Sequence, residues 1–211
     1  MTSEQRSVDV MTLATQERTD LADFLDTLTP QQWEAPSLCE GWTVRDVVAH
    51  AISYDELSWW GMAKRFARGG FTLDRTNDVG LTEYAHGPRE LLALLRAHLR
   101  PSGLPSAFGG MIALVDGMIH HQDIRRPLGM PRDIPHDRLR TALRLALLAR
   151  PVGASRRARG LTLVATDLDW SHGSGPEVRG PGEAVLMAIA GRGHAVAELS
   201  GPGQSVLASR I

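Results

Sequence analysis

The order of apolar and polar residues predicts a chain that is largely helical. Apolar positions three and four residues apart indicate amphipathic helices at about 8–28, 43–66, 89–99, 108–124 and 136–150. Thr29 and Pro30 are expected to end the first helix, and the polar stretch 71–87 is expected to be irregular. Helices joined by proline- and glycine-containing connections favour a helical bundle.

The second helix has the clearest start. Thr43 stands where an N-cap is expected and Asp46 occupies the third helical position, so the pair predicts a capping box. Trp42 precedes the cap and is expected to pack on Val47 as a hydrophobic staple. The preceding stretch 33–41 contains proline and glycine and is predicted to be a loop.

The pattern changes after Pro151. Residues 161–166 and 168–170 are strand-like, and 173–176 is interpreted as a hairpin turn because it lacks the lysine and the following helix of a phosphate-binding loop. A helix is expected after Pro181, and another at about 205–210. The predicted architecture is therefore mainly α, with a bundle at 1–153 followed by a small α+β domain at 154–211.

Charge and cysteine content narrow the classes of partner and compartment. The 211 residues include 23 basic and 24 acidic side chains, so neither nucleic acid nor an anionic membrane is a predicted partner. Cys39 is the sole cysteine, which excludes an internal disulfide and favours a reducing compartment. With no apolar stretch long enough to span a bilayer and no hydrophobic signal core at the N-terminus, we expect a cytoplasmic protein.

Candidate chemistry is concentrated in the predicted helix 108–124. Asp116 and His120 are four residues apart, so they are separated by about 40° around the helix axis and point to the same place. Asp123 joins that face, whereas His121 points elsewhere. Asp123 is expected either to accept the second N–H of His120 and orient its ring, or to pair with a neighbouring arginine.

His50 is the predicted third member of this group. It belongs to the inward stripe of the second helix with Val47, Tyr54 and Leu57, and a buried imidazole requires a hydrogen bond or a metal. Two imidazoles and a carboxylate hold a divalent ion and leave one position open. Zinc is the default and ferrous iron is also compatible, while the alternative is a polar network between helices without an ion.

Cys39 has two interpretations. Its place just before a helix N-terminus suits a reactive thiolate, whereas a buried small hydrophobic residue is the commoner situation and the one we favour. The tryptophans at 33, 42, 59 and 60 are compatible with a pocket mouth and equally with core packing.

Three motifs resemble the mycothiol-dependent maleylpyruvate isomerase family, whose N-terminal part is a DinB-like four-helix bundle that binds metal. The first motif is PSLCEGWTVRDVVAH at 36–50, and the second is HHQDIRRPLG at 120–129. The third comprises ATDLDW at 165–170, VRG at 178–180 and AGR at 190–192, and is similar to the small C-terminal domain of many members. The resemblance covers nearly the whole chain.

The resemblance implies a metal held by His50, Asp116 and His120, the set that helix geometry also favours. The isomerases have glutamate where this chain has Asp116. The family further implies mycothiol as a thiol cosubstrate, which the metal activates to attack a small electrophile in a transferase or isomerase reaction. An actinobacterial host is compatible with the preference for arginine over lysine. A non-catalytic metal- or ligand-binding module of the same fold is the alternative, and the sequence leaves a homodimer open.

Overall fold

The computed structural model describes residues 9–211, so the predicted helix start at Val8 and the expected lack of a signal core at 1–6 lie outside the described residues. The chain divides into two compact units, Met1–Pro131 and Arg132–Ile211. This division differs from the predicted boundary at 153/154. The helix at 136–146 contacts the helix at 182–189, where Leu139 lies so close to Gly182 that a Cβ there would be 3.3 Å from the leucine Cδ2.

The first unit is a four-helix bundle with two added helices and one short helical turn. Its helices are α1 (Val10–Asp26), α2 (Pro30–Trp33), α3 (Val44–Ile52), α4 (Trp59–Arg68), α5 (Leu73–Glu83), α6 (Pro88–Ala97) and α7 (Ala107–Arg125). The bundle is formed by α1, α3, α6 and α7, since α1 packs on α6 and α7, and α3 packs on the same two helices. Its core contains buried residues from all four, including Leu25, Val48, Leu95 and Ile124.

The predicted long helix at 43–66 is wrong, because the structure has two helices, α3 and α4, in its place. The first ends at Ser53, and the Arg65 guanidinium donates to the Ser53 carbonyl oxygen (2.9 Å) and to its hydroxyl oxygen (3.2 Å). The second begins at Ser58, whose hydroxyl accepts from the Gly61 N–H. The buried Arg65 guanidinium thus provides a hydrogen-bond partner for the Ser53 carbonyl, which allows α3 to end there.

The stretch 71–87, predicted to be irregular, contains α5. Its residues are polar and include turn-forming types, but tertiary contacts outweigh this local preference. Gly69 approaches α5 so closely that a Cβ would lie 2.6 Å from the Thr76 nitrogen, and Leu81 packs against the bundle core. The Tyr54 hydroxyl donates to Asn77 Oδ1 at 2.6 Å.

Helix starts are the best-predicted local feature. The capping box at Thr43 and Asp46 is confirmed, with each residue accepting a hydrogen bond from the backbone N–H of the other. A second capping box joins Thr29 to Gln32 and begins α2 where only a helix break was expected. Since both boxes flank the 34–43 segment, the path of that segment into α3 is well defined.

The second unit combines helices with a three-stranded sheet. Its elements are α8 (His136–Ala146), α9 (Ala154–Ala158), β1 (Thr162–Ala165), β2 (Trp170–Gly173), β3 (Glu177–Gly180), α10 (Gly182–Ile189) and α11 (Gln204–Ala208). Strand β1 is central, antiparallel to β2 and parallel to β3. The hairpin-turn interpretation of 173–176 is therefore wrong, because this turn connects two strands on opposite edges of β1.

The mainly α fold class, with a helical bundle and a small α+β unit, is confirmed. Among the described residues, no helix combines the length and apolar character that a membrane span requires.

Candidate metal centre

Helices α3 and α7 bring the three predicted ligands together. His50 lies near the end of α3, and its Nε2 is 3.9 Å from Asp116 Oδ2 on α7. His120, one turn further along α7, has its Nε2 3.4 Å from Asp116 Oδ1. One donor atom from each residue lies within 4.8 Å of the other two.

These spacings fit a divalent ion. Ligand atoms about 2.1 Å from a tetrahedral metal lie roughly 3.4 Å from one another. The distance of 3.4 Å from His120 Nε2 to Asp116 Oδ1 matches that value. The distance of 3.9 Å from His50 Nε2 is to the other carboxylate oxygen, Oδ2, so binding one ion requires the side chains to move closer together. Asp116 keeps 45% of its side chain exposed, so the group of donors is accessible to solvent on the aspartate side.

The His50 ring is enclosed by aromatic groups. Its centroid lies 5.1 Å from that of Trp42, 5.7 Å from that of Tyr54 and 5.0 Å from that of His120. Its Nδ1 is buried and has no hydrogen-bond partner in the described part of the protein. Burial, reinforced by the nearby His120 and Arg65 and opposed by Asp116, lowers the pKa of His50 to about 4. The ring is therefore neutral near pH 7 and keeps a lone pair for coordination.

His120 is held from both sides. Its Nδ1 lies 2.9 Å from Asp123 Oδ2, while its Nε2 faces Asp116. Burial opposes a charge on this ring, but the carboxylates of Asp116 and Asp123, with a contact from Cys39, raise the pKa of His120 well above its ordinary value. A carboxylate on one nitrogen orients a histidine so that its other nitrogen faces a metal, and it equally suits an imidazolium between two carboxylates.

Of the two alternatives for Asp123, the structure places its carboxylate against His120. Arg125, one of the arginines considered as its partner, donates instead from Nε to His121 Nε2 at 2.8 Å. His121 is fully buried, and its Nδ1 lies 2.9 Å from Glu17 Oε1 on α1. As helix geometry predicted, His121 thus points away from Asp116 and His120, and it joins α7 to α1.

Sequence reasoning missed the position of Cys39. Its thiol donates to Asp123 Oδ2 at 3.2 Å, and its Sγ is 3.6 Å from His120 Nδ1. It is half-buried and packs against the bundle core, as the favoured interpretation expected, but it also contacts polar groups of the candidate centre. No spacing rule connects residues so far apart in sequence, and the only signal was the presence of Cys39 and His120 in two motifs of one family.

Comparison with known proteins identifies the family. Residues 14–125, more than half of the chain, match the model of the mycothiol maleylpyruvate isomerase N-terminal domain. The chain therefore belongs to this family, as the resemblance implied. The matched segment contains Cys39, His50, Asp116, His120 and Asp123.

Two solved structures share the fold over most of their length. The crystal structure of the mycothiol-dependent maleylpyruvate isomerase is 18% identical and aligns with a TM-score of 0.60, covering 92% of each chain. A histidine-to-alanine mutant of that enzyme aligns with a TM-score of 0.59 at the same identity and coverage. The search of curated proteins found no match.

Proposed function

We propose that this protein is a divalent-metal-dependent enzyme that uses mycothiol as a thiol cosubstrate and acts on a small electrophile, as a transferase or an isomerase. Family membership and the shared fold support thiol-dependent chemistry. The observation that carries the proposal is the convergence of His50, Asp116 and His120, whose donor atoms lie within 4.8 Å of one another. Zinc is the proposed ion, since two imidazoles and a carboxylate with an open position are typical of catalytic zinc.

Each residue of the centre has a distinct task in this proposal. His50 stays neutral because it is buried, and so it offers a lone pair without first losing a proton. Asp123 accepts from His120 Nδ1 and thereby turns Nε2 of that ring toward Asp116. Asp116 supplies the negative charge, and its exposure leaves one side of the centre open to a ligand.

A divalent ion held by His50, Asp116 and His120 would lower the pKa of a thiol bound beside them, so that a thiolate would be present near neutral pH. A thiolate that adds to a double bond and leaves again after rotation gives isomerisation. A thiolate that displaces a leaving group, or that stays attached after addition, gives a conjugate. The mass of the product distinguishes the two, and we propose conjugation as the reaction to test first.

The metal is tested by elemental analysis of protein purified without chelators. We expect about one ion per chain in the unaltered protein and a loss of at least tenfold in His50→Ala, because two ligands hold an ion far less tightly than three. His86→Ala is the matched control, since His86 pairs with Glu90 at the surface of the same unit. Equal metal content in all three proteins would contradict the proposed ligand set.

The reaction is tested with a bimane electrophile, with and without mycothiol. We expect a conjugation rate that requires mycothiol, disappears after chelator treatment and returns when zinc is added. A rate that is independent of metal would count against the proposal.

A non-catalytic metal- or ligand-binding module is the second candidate. Asp116 favours it, because aspartate is one methylene shorter than the glutamate of the isomerases and reaches less far toward an ion. Stoichiometric metal without measurable affinity for mycothiol would select this candidate. Absence of bound metal would instead indicate an internal hydrogen-bonded network, which the raised pKa of His120 between two carboxylates also favours.

A further inference from the structure

A second group of potential ligands lies on the other nitrogen of His120. Cys39 Sγ, His120 Nδ1 and Asp123 Oδ2 lie within 4.8 Å of one another, at 3.2 Å for sulphur to oxygen, 3.6 Å for sulphur to nitrogen and 2.9 Å for nitrogen to oxygen. We propose that this Cys39–His120–Asp123 cluster is a binding site for a soft, thiophilic divalent cation such as Cd²⁺. The inference concerns binding alone and does not depend on the proposed enzymatic function.

The thiol is held in place by the backbone around it. The Leu38 N–H donates to the Asp123 carbonyl oxygen at 3.0 Å, which ties the 34–43 segment directly to α7. The Cys39 N–H donates to the Ser37 hydroxyl oxygen at 3.1 Å, and the Trp42 N–H donates to the Cys39 carbonyl oxygen at 3.0 Å. The sulphur is therefore held beside the Asp123 carboxylate before any ion arrives, which reduces the entropic cost of assembling the site.

The charges of the cluster match a divalent ion. When the ion binds, the thiol proton and the Nδ1 proton that His120 donates to Asp123 pass to solvent, and the resulting thiolate together with the Asp123 carboxylate balances two positive charges. This balance matters because the Asp123 side chain is completely buried and the His120 side chain is 10% exposed, and an uncompensated charge in such a place is costly. Thiolate sulphur favours soft ions, which selects cadmium over magnesium or calcium.

The spacing also fits this chemistry. A tetrahedral zinc with ligands at about 2.3 Å for sulphur and 2.1 Å for nitrogen separates those two atoms by roughly 3.6 Å. The observed distance between Cys39 Sγ and His120 Nδ1 is 3.6 Å. The contacts of Asp123 with His120 and with the Cys39 thiol are hydrogen bonds, and coordination requires them to lengthen by roughly half an ångström and roughly 0.4 Å.

Sharing His120 makes the two groups of ligands alternatives. A neutral imidazole has one lone pair, on either Nδ1 or Nε2. When His120 coordinates an ion in the Cys39–His120–Asp123 cluster through Nδ1, its proton is on Nε2. His120 then cannot bind a second ion together with His50 and Asp116. A thiophilic ion is thus expected to displace a metal held by His50, Asp116 and His120.

Cadmium titration of the metal-free full chain tests the site. Cys39 is the sole cysteine, so the thiolate-to-cadmium charge-transfer absorption in the ultraviolet reports on this residue alone. We expect the absorption to saturate when one Cd²⁺ is bound to Cys39 of each chain. The absorption should persist in His50→Ala and disappear in Cys39→Ser. No absorption in the unaltered protein would overturn the inference.

The Asp123→Asn variant separates a built site from a cysteine that binds cadmium by itself. Loss of the carboxylate is expected to weaken cadmium binding at least about tenfold. Equal affinity in the variant would show that the Asp123 carboxylate is not a ligand and would overturn the proposed cluster.

A measurement on the unaltered chain avoids any dependence on how the variants fold. We expect Cd²⁺ to slow the alkylation of Cys39 by iodoacetamide at least tenfold, whereas Mg²⁺ at the same concentration leaves the rate unchanged. Equal protection by both ions, or none by cadmium, would contradict a thiophilic site. Absence of thiol-transfer activity, by contrast, would contradict the proposed function and leave this result intact.

Discussion

Acidification of the metal-free protein provides a direct measurement of the environment of His50. Each pKa unit corresponds to about 1.4 kcal/mol, so lowering the pKa of His50 from 6.5 to about 4 corresponds to about 3 kcal/mol of stability that depends on the neutral ring. Because the folded-state pKa lies below that of the unfolded chain, this stability is present above pH 6.5 and is lost as the pH falls toward 4. Between pH 7 and pH 5 the loss is roughly 2 kcal/mol, since the unfolded chain takes up a proton in this interval and the folded protein does not.

Urea unfolding at pH 7 and at pH 5, followed by circular dichroism after chelator treatment, measures this loss. The reference is His50→Gln, which lacks the titrating ring. The free energy of unfolding is expected to fall further between pH 7 and pH 5 in the unaltered protein than in this variant. His120 contributes in the opposite sense, because its folded-state pKa is raised and its contribution is complete below 6.5. It is present in both proteins, but its charge also lowers the pKa of His50, so the difference between the two proteins reports the titration of His50 together with its coupling to His120. If both proteins lose the same stability, His50 is not a buried neutral imidazole and the argument for its lone pair fails.

Three further predictions concern metal affinity and the capping of α3. Metal binding requires His120 to lose a proton, so the metal affinity is expected to rise about tenfold per pH unit below the raised pKa of His120. Competition with a chelating dye measures this affinity, and an affinity that does not depend on pH would contradict His120 as a ligand. Asp123→Asn is expected to weaken zinc binding about 10- to 100-fold in calorimetry, and unchanged binding would show that something else orients His120. Thr43→Ala removes an N-cap and is expected to cost about 1 kcal/mol in urea unfolding, whereas Thr82→Ala, whose exposed hydroxyl donates within one helix, serves as a control with a smaller effect.

Several features of the candidate centre were predictable because they depend on local geometry. The shared face of Asp116 and His120 follows from the α-helical repeat, and the structure confirms that their side chains meet. The inward position of His50, whose side chain is 12% exposed, was predicted from an apolar stripe, although α3 ends at Ile52 and therefore before Tyr54 and Leu57, two members of that stripe. Their assembly into a metal site remains a proposal, since helix periodicity says which way a side chain points and not what it binds.

Errors occurred where distant contacts outweigh local preference. The single helix predicted at 43–66 is interrupted because Arg65 folds back to bind Ser53, a contact that no local pattern announces. Helix α5 forms from a stretch rich in turn-forming residues because it packs on α3 and α4. Strand β3 pairs in parallel with β1, although the glycine-rich connection before it resembled a hairpin turn.

The sequence by itself determined where most helices begin and which faces they bury, because capping and amphipathic spacing act over only a few residues. Three motifs also indicated its family, to which the chain belongs. Only the tertiary structure decided that Cys39 contacts Asp123 and His120, and that the carboxylate of Asp123 faces His120. The Cys39 contacts join segments that are far apart in the chain, and their distances depend on how the segment before α3 packs on α7, which no spacing along the chain encodes. His120 and Asp123 lie one turn apart on α7, so helix geometry allowed their contact, and the structure decided between it and an arginine partner.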